Sequence, residues 1–127
     1  MTDHSGAAVV DASAIAAVLF GEPQAEVIAA RLSDRELLAP TLLPHEVASV
    51  CLKKLTRYPE RSGAIHEAMG LFSRLGVRQV DVPVAEVVEM AERKELTAYD
   101  GAYLWLARSL GCELVTLDRA LAAAASR

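Results

Sequence analysis

The sequence predicts an α/β fold in three layers, a mainly parallel sheet of four to five strands sandwiched between helices. Apolar runs of strand length alternate with longer segments of helical periodicity along the whole chain. The first run, Ala7 to Val10, has no polar position, which is what a strand covered on both faces requires. The length of 127 residues suits one domain, residues 1–127, of which residues 1–6 are expected to form a mobile tail.

Taken in order, Ala7 to Val10 forms the first strand and stops at Asp11. Ala14 to Phe20 reads as a short helix closed by Gly21. Pro23 opens the next helix, to Leu32, because proline fits a first helical turn. Leu37 to Ala39 is the second strand, ended by Pro40. Thr41 is placed to N-cap a helix over 42–57, with Pro44 tolerated in its first turn. Pro59 opens a helix that reaches Leu75 and ends at Gly76. Val77 to Val82 is the third strand, and Pro83 starts a helix to Lys94. Thr97 to Asp100 has the form of a capping box, with Asp where Glu or Gln is usual. Its helix runs to Leu110 and ends at Gly111. Glu113 to Thr116 is the fourth strand, and Asp118 to Ala125 the last helix.

Thirteen basic and seventeen acidic side chains leave a formal charge of −4, which excludes a generic nucleic-acid coat bound by bulk charge. Contact with RNA then needs local basic groups, bridging cations or narrow specificity. Cys51 and Cys112 lack metal-ligand spacing and read as buried thiols rather than a disulfide. The N-terminus lacks the basic start of a signal peptide. The stretch Ala7 to Phe20 is interrupted by Asp11 and too short for a bilayer, so a soluble cytoplasmic protein is expected.

Four acids carry the chemistry. Ligands of an open parallel sheet gather outside the carboxyl ends of its strands, near the switch point. Asp11 ends the first strand, and Asp118 lies just beyond the fourth. Asp100 falls in the first turn of the helix feeding strand four, and Glu46 one turn inside the helix after strand two. Each of these elements begins on the same edge of the sheet. Two carboxylates ~4 Å apart repel by about 4 kcal/mol at an effective dielectric of about 20, so such a cluster calls for a cation. All-oxygen ligands suit Mg²⁺ or Mn²⁺. A hard cation held this way supports phosphodiester hydrolysis without a histidine or cysteine nucleophile. Each acid also has an ordinary use: Asp11 in a turn, Asp118 as an N-cap, Asp100 in the capping box, Glu46 as a solvated helix residue. Asp11 is the hardest to explain that way, because an acid ending an apolar strand needs a partner.

Together the segments Val9 to Ser13, Pro44 to Ala48, Tyr99 to Leu104 and Leu114 to Leu121 resemble, in this order, the PIN domains, and specifically the VapC toxins of VapBC toxin–antitoxin systems. The resemblance spans residues 9 to 121. It implies a PIN-like α/β/α sandwich with Asp11, Glu46, Asp100 and Asp118 around Mg²⁺ or Mn²⁺. Asp11 and Asp100 would be the main ligands, and the hydroxyls of Ser13 and Thr116 would orient carboxylates or bound water. It further implies an endoribonuclease acting as a toxin, a homodimer, and a cognate VapB-like antitoxin that blocks the cleft. Many relatives continue into another strand after the last helix, and Gly101 stands where Ala is commoner, which is expected to loosen that helix start slightly.

Lys53, Lys54, Arg57 and Arg61 form the densest basic group. The first three follow Glu46 on its helix and could grip RNA phosphates, although a solvated helix face is the favoured explanation. Arg119 is expected to pair with Asp118. His45 adjoins Glu46 without sharing its face, His4 lies in the tail, and His66 has no motif partner. Tyr103 and Trp105 read as core or dimer contacts. A phosphatase using Asp11 as nucleophile is disfavoured by Ser13, where that class places a second Asp. A dinucleotide-binding domain lacks its glycine-rich turn. A non-catalytic PIN-fold scaffold for a partner protein is the remaining rival, disfavoured by the complete acidic set.

Overall fold

The computed structural model describes residues 6–127. His4 and nearly all of the expected tail lie outside them. Four strands, β1 (Ala7–Val10), β2 (Glu36–Pro40), β3 (Arg78–Val80) and β4 (Glu113–Val115), form one parallel sheet in the order β3-β2-β1-β4. The helices are α1 (Ala12–Leu19), α2 (Ala25–Leu32), α3 (Leu43–Arg57), α4 (Ser62–Gly70), α5 (Val84–Lys94), α6 (Ala98–Leu110) and α7 (Arg119–Ala125). None of them is long and apolar enough to cross a membrane.

The strand order fixes the layers. From β1 the chain steps outward to β2 and then β3, and right-handed crossovers place α1 to α4 on one face. The chain then returns past β1 to β4, in the opposite direction, so α5 and α6 cover the other face. Helix α6 packs on β1, β2 and β4, while α1 packs on α2 and α3. The chain therefore leaves β1 toward β2 on one side and reaches β4 on the other, and the crevice between the carboxyl ends of β1 and β4 is the switch point.

The all-apolar first run is the innermost strand, with every β1 residue at most 2% exposed. Ile15, Leu38, Leu43, Val47, Leu104 and Val115 close around it. At the amino edge of the sheet, Arg35 donates to Glu113 Oε1 (2.6 Å) and to the Ala7 carbonyl (2.8 Å). Arg31 donates to Glu113 Oε2 (2.7 Å), so α2 is tied to the starts of β1 and β4. Both cysteines are free.

Several expected boundaries shift. Thr41 does not cap α3: β2 continues through Pro40, and the helix starts after Leu42, with no side-chain cap and Pro44 in its first turn. The single helix expected over 59–75 is three pieces, a 3-10 turn at Pro59–Arg61, then α4, then a 3-10 turn at Phe72–Leu75. The α-helix ends at Gly70, a poor helix former, and Gly76 then turns the chain at φ 68°. The capping box is half made. Thr97 accepts from the Asp100 N–H (3.1 Å), but no return bond from the Asp100 carboxyl is present among the described residues. Gly101 has a role the sequence did not suggest: a Cβ there would lie 2.9 Å from Ala91 Cβ and 3.3 Å from the Val87 carbonyl, so the glycine lets α5 and α6 meet backbone to backbone.

Candidate functional site

Four helices begin around the switch point, and each brings one carboxylate to its first turn. Asp11 is the N-cap of α1 and Asp118 the N-cap of α7, while Glu46 and Asp100 lie in the first turns of α3 and α6. Helix starts carry partial positive charge and unpaired N–H groups, which favour acids there. The ordinary N-cap use of Asp11 and Asp118 is therefore real, and it coexists with their convergence.

Asp11 is 5% exposed and receives three hydrogen bonds. Ser13 Oγ (2.7 Å) and the Ala14 N–H (3.0 Å) donate to Oδ1, and Thr116 Oγ1 (2.6 Å) donates to Oδ2. The two hydroxyls are themselves aimed by backbone. Ser13 Oγ accepts from the Leu117 N–H (2.9 Å), and Thr116 Oγ1 accepts from the Asp118 N–H (3.0 Å). Both hydroxyl protons thus point at Asp11, that of Ser13 from two residues away and that of Thr116 across 105 residues of sequence. Burial pushes the Asp11 pKa up, with a smaller push from Asp118, and the three donors pull against it by stabilising the anion.

Glu46 is fixed by a residue the sequence had assigned only to packing. The Tyr103 phenol donates to Glu46 Oε1 at 2.7 Å, and the residue is 1% exposed. Tyr103 lies one turn beyond Asp100 on α6, which could have signalled a shared face. A buried phenol in an aliphatic core also needs an acceptor. Burial raises the Glu46 pKa, the Tyr103 bond opposes the rise, and the Asp11 charge adds to it. Asp100 has no such donor. Its pKa is pushed up to about 6, first by burial, then by the charges of Asp118, Asp11 and Glu46. The four acids therefore share one electrostatic field.

Among the described residues no three His, Cys, Asp or Glu side chains form a ready-made metal cage. That is compatible with Mg²⁺ or Mn²⁺, which are commonly held by one or two carboxylates with water and substrate phosphate completing the shell. The donors here are hard oxygens, and burial followed by repulsion from Asp118, Asp11 and Glu46 raises the pKa of Asp100, so a divalent cation fits the chemistry.

The basic group divides. Lys54 turns away, pairing with Glu22 at 3.0 Å and lying over the Phe20 ring. Arg57 and Arg61 both lie over Tyr58, at 5.5 and 5.2 Å from the ring centre. Lys53 instead lines a cleft of about 420 Å³ beside Glu46, together with Ala12, Leu42, Ser49 and Tyr99. His45 also lines this cleft, and His66 is exposed elsewhere on α4. The expected Arg119–Asp118 pair does not form: Arg119 is exposed and makes no ion pair among the described residues, because the Asp118 carboxyl turns back to cap Leu121 N–H at 2.8 Å.

Comparison with known proteins agrees with this architecture. The PIN domain family model matches residues 8–126. The chain is 36% identical to ribonuclease VapC3 of Pyrobaculum aerophilum, over 90% of this chain and 91% of that one. It is 39% identical to the VapC ribonuclease Mb0985 of Mycobacterium bovis, over 87% and 84% of the two chains. Ribonuclease VapC9 of Mycobacterium tuberculosis matches with the same identity and coverage. The crystal structure of PAE2754 from Pyrobaculum aerophilum superposes with a TM-score of 0.76 at 25% identity, over 93% of this chain and 84% of that one. The chain belongs to the PIN-domain family, in its VapC branch.

Proposed function

We propose that this protein is an Mg²⁺- or Mn²⁺-dependent endoribonuclease, the toxin of a toxin–antitoxin pair that works in the cytoplasm. The observation that carries the reading is the convergence of Asp11, Glu46, Asp100 and Asp118, expressed in the rise of the Asp100 pKa to about 6 by burial and by its three acidic neighbours. The ribonuclease names of the VapC relatives support the same substrate. The VapC names of those relatives support a VapB-type antitoxin as partner, and in this reading it covers the cleft. A homodimer is in keeping with the exposed apolar side chains Val84 and Val88 on α5.

The chain's own residues divide the work. Ser13, Ala14 and Thr116 hold Asp11 immobile and stabilise its anion against the upward push of burial. Tyr103 occupies Glu46 Oε1 and leaves Oε2 for the cluster. Asp100, its pKa pushed up to about 6, is able to change its protonation near neutral pH. Lys53, which lines the cleft beside Glu46, would hold an RNA phosphate, while Arg57 lies further along α3 over Tyr58. The divalent ion, when bound by Asp11 and Asp100 with Glu46 and Asp118 beside them, supplies charge neutralisation at the phosphate and acidifies water. The buried, thrice-bonded carboxylate of Asp11 is ill suited to attack phosphorus itself, which weighs against the phosphatase alternative.

The deciding measurement is RNA cleavage with Mn²⁺ by the wild type and by Asp11→Asn and Asp100→Asn variants of normal fold. Both substitutions should reduce cleavage to background and weaken Mn²⁺ binding. Full metal-dependent activity in folded Asp11→Asn would overturn the assignment, and a wild type that binds no Mn²⁺ would favour the scaffold.

A further inference from the structure

Of the four helices that open with an acid, α7 buries the fewest side chains, Leu121 and Ala124 alone. One leucine is therefore its large apolar anchor. Yet its N-cap, Asp118, belongs to the acidic cluster, and of the three neighbouring acids it bears most strongly on Asp100. Polar bonds make up the difference at both ends of the helix. At the first turn, Asp118 Oδ1 accepts from the Leu121 N–H at 2.8 Å, and the Asp118 N–H donates to Thr116 Oγ1 at 3.0 Å. At the last turn, Arg108 of α6 extends Nη2 to the carbonyls of Ala124 (3.1 Å), Ala125 (3.4 Å) and Arg127 (2.8 Å). Lys94 Nζ, from the end of α5, donates to the Arg127 carbonyl as well, at 3.1 Å.

The last carbonyls of a helix have no partner within it, and a cation is favoured beside them. In α7 the carbonyls of Ala122 and Ala123 are met by Ser126, through its N–H (3.2 Å) and its hydroxyl (3.0 Å). The Ala125 carbonyl has no donor but Arg108 among the described residues. Arg108 makes no ion pair among them, so its guanidinium is committed to α7. It stands ~12 Å beyond Asp100 along the α6 axis, which removes it from the reacting atoms. Helix α6 is itself held fast on α5, where Gly101 allows backbone contact. So α6 carries Asp100 at its start and the clamp near its end, while α7 carries Asp118 at its start and the clamped carbonyls at its end. With α7 ~10 Å long, a tilt of about 10° shifts one end by ~2 Å against the other. An ion such as Mg²⁺ accepts little departure from its octahedral shell.

We propose that Arg108, with Lys94 beside it, is a positioning residue: it clamps the last turn of α7 to the α5–α6 pair and so sets the place of Asp118 against Asp100. It touches neither substrate nor metal, and it acts on the cleft only through α7. The proposal deepens the nuclease reading by naming what holds one acid against another, and it rests on that reading for the divalent ion the acids would share.

Two measurements test it: the Mn²⁺ dissociation constant, and hydrogen exchange of the Leu121 amide without metal, which reports the Asp118 cap directly. Arg108→Ala should weaken Mn²⁺ binding about 10-fold and speed Leu121 exchange more than that of the β1 amides. Arg108→Lys, which keeps a cation for the same carbonyls, should recover most of both. In an Asp118→Asn background, where the cap survives and the charge does not, removing Arg108 should weaken Mn²⁺ binding no further. Unchanged Mn²⁺ affinity in folded Arg108→Ala, or an equal loss in both backgrounds, would refute the clamp and leave the nuclease reading intact. If Arg108→Ala does not fold, Lys94→Ala, which removes a single bond, takes its place. It should change both readouts in the same direction by less, and no change in either refutes the proposal. If the wild type binds no Mn²⁺, the metal reading fails. In that case, or if Asp118→Asn binds none, Leu121 exchange alone decides the clamp: exchange faster than that of the core upholds it, and exchange unchanged or raised only in step with the core refutes it.

Discussion

The Tyr103 phenol reaches Glu46 across 57 residues of sequence and joins α6 to α3 at the mouth of the acidic cleft, at 2.7 Å. The bond comes from a fully buried ring, so its geometry is set by the core rather than by solvent. Tyr103→Phe keeps the packing and removes the donor. Groups that orient a metal ligand from behind commonly change metal affinity or activity by about 10- to 100-fold when lost. A Mn²⁺ titration should show weakening of this order, with thermal stability lowered by only about 1 kcal/mol. Unchanged affinity would reduce Tyr103 to a packing residue.

Thr116→Val tests the anchoring of Asp11. The substitution preserves shape, but it strips Asp11 Oδ2 of its donor and the Asp118 N–H of its acceptor. Leaving such buried polar groups unmet costs about 1–3 kcal/mol. Urea unfolding at neutral pH should show a loss of that size, and the Asp11 pKa should climb further because burial is then opposed only by Ser13 and Ala14. Ser13→Ala should act in the same direction.

Stability should fall as pH rises through the acid range. The folded Asp100 pKa, about 6, stands above its unfolded value near 4, so between those limits the folded state binds more protons. Asp11 and Glu46 shift with the same sign. Unfolding free energy should therefore decline from about pH 4 to pH 6 and then level off, and Asp100→Asn should flatten that part of the curve and be the more stable protein at pH 7. Glu113 works oppositely: Arg35 and Arg31 lower its pKa, so its contribution is present above the unfolded value and disappears as pH drops through the folded one. Denaturant melts at pH 4.5, 6 and 7.5 check the sign.

Gly101→Ala should destabilise, against helix propensity. An exposed helix position would gain up to ~1 kcal/mol from alanine. Here the new methyl meets Ala91 Cβ at 2.9 Å and the Val87 carbonyl at 3.3 Å, and overpacking of this kind costs about 1–3 kcal/mol. A thermal melt should show a lower Tm, partly recovered when Ala91→Gly is added.

The residues that were legible in the sequence are those whose position follows from one element alone. An unbroken apolar strand running into Asp11 forecasts a buried strand with an acid at its carboxyl end, and that is where Asp11 stands. The alternation of strands and helices forecasts a parallel sheet, but the pairing of β1 with β4, on which the meeting of Asp11 and Asp118 depends, is given only by the fold. Contacts made between distant elements stayed hidden. Gly101 looked like a weak helix former because the space it leaves belongs to α5. Lys53 and Lys54 are adjacent in sequence, yet a helix turns each residue by about 100°, and only the fold decides which one meets Glu22 and which one meets the cleft. Thr41 was a reasonable cap by composition, but pairing of Ala39 and Pro40 with β3 carries the strand up to it and moves the helix start downstream.

Because each acid opens a different helix, the repulsion within the cluster is set against the attraction of four helix starts for negative charge. On the nuclease reading proposed above, sturdiness and cutting power would be set against one another at Asp100, where burial and repulsion raise the pKa. A lineage selected only for durability would drift toward an amide there without losing its shape.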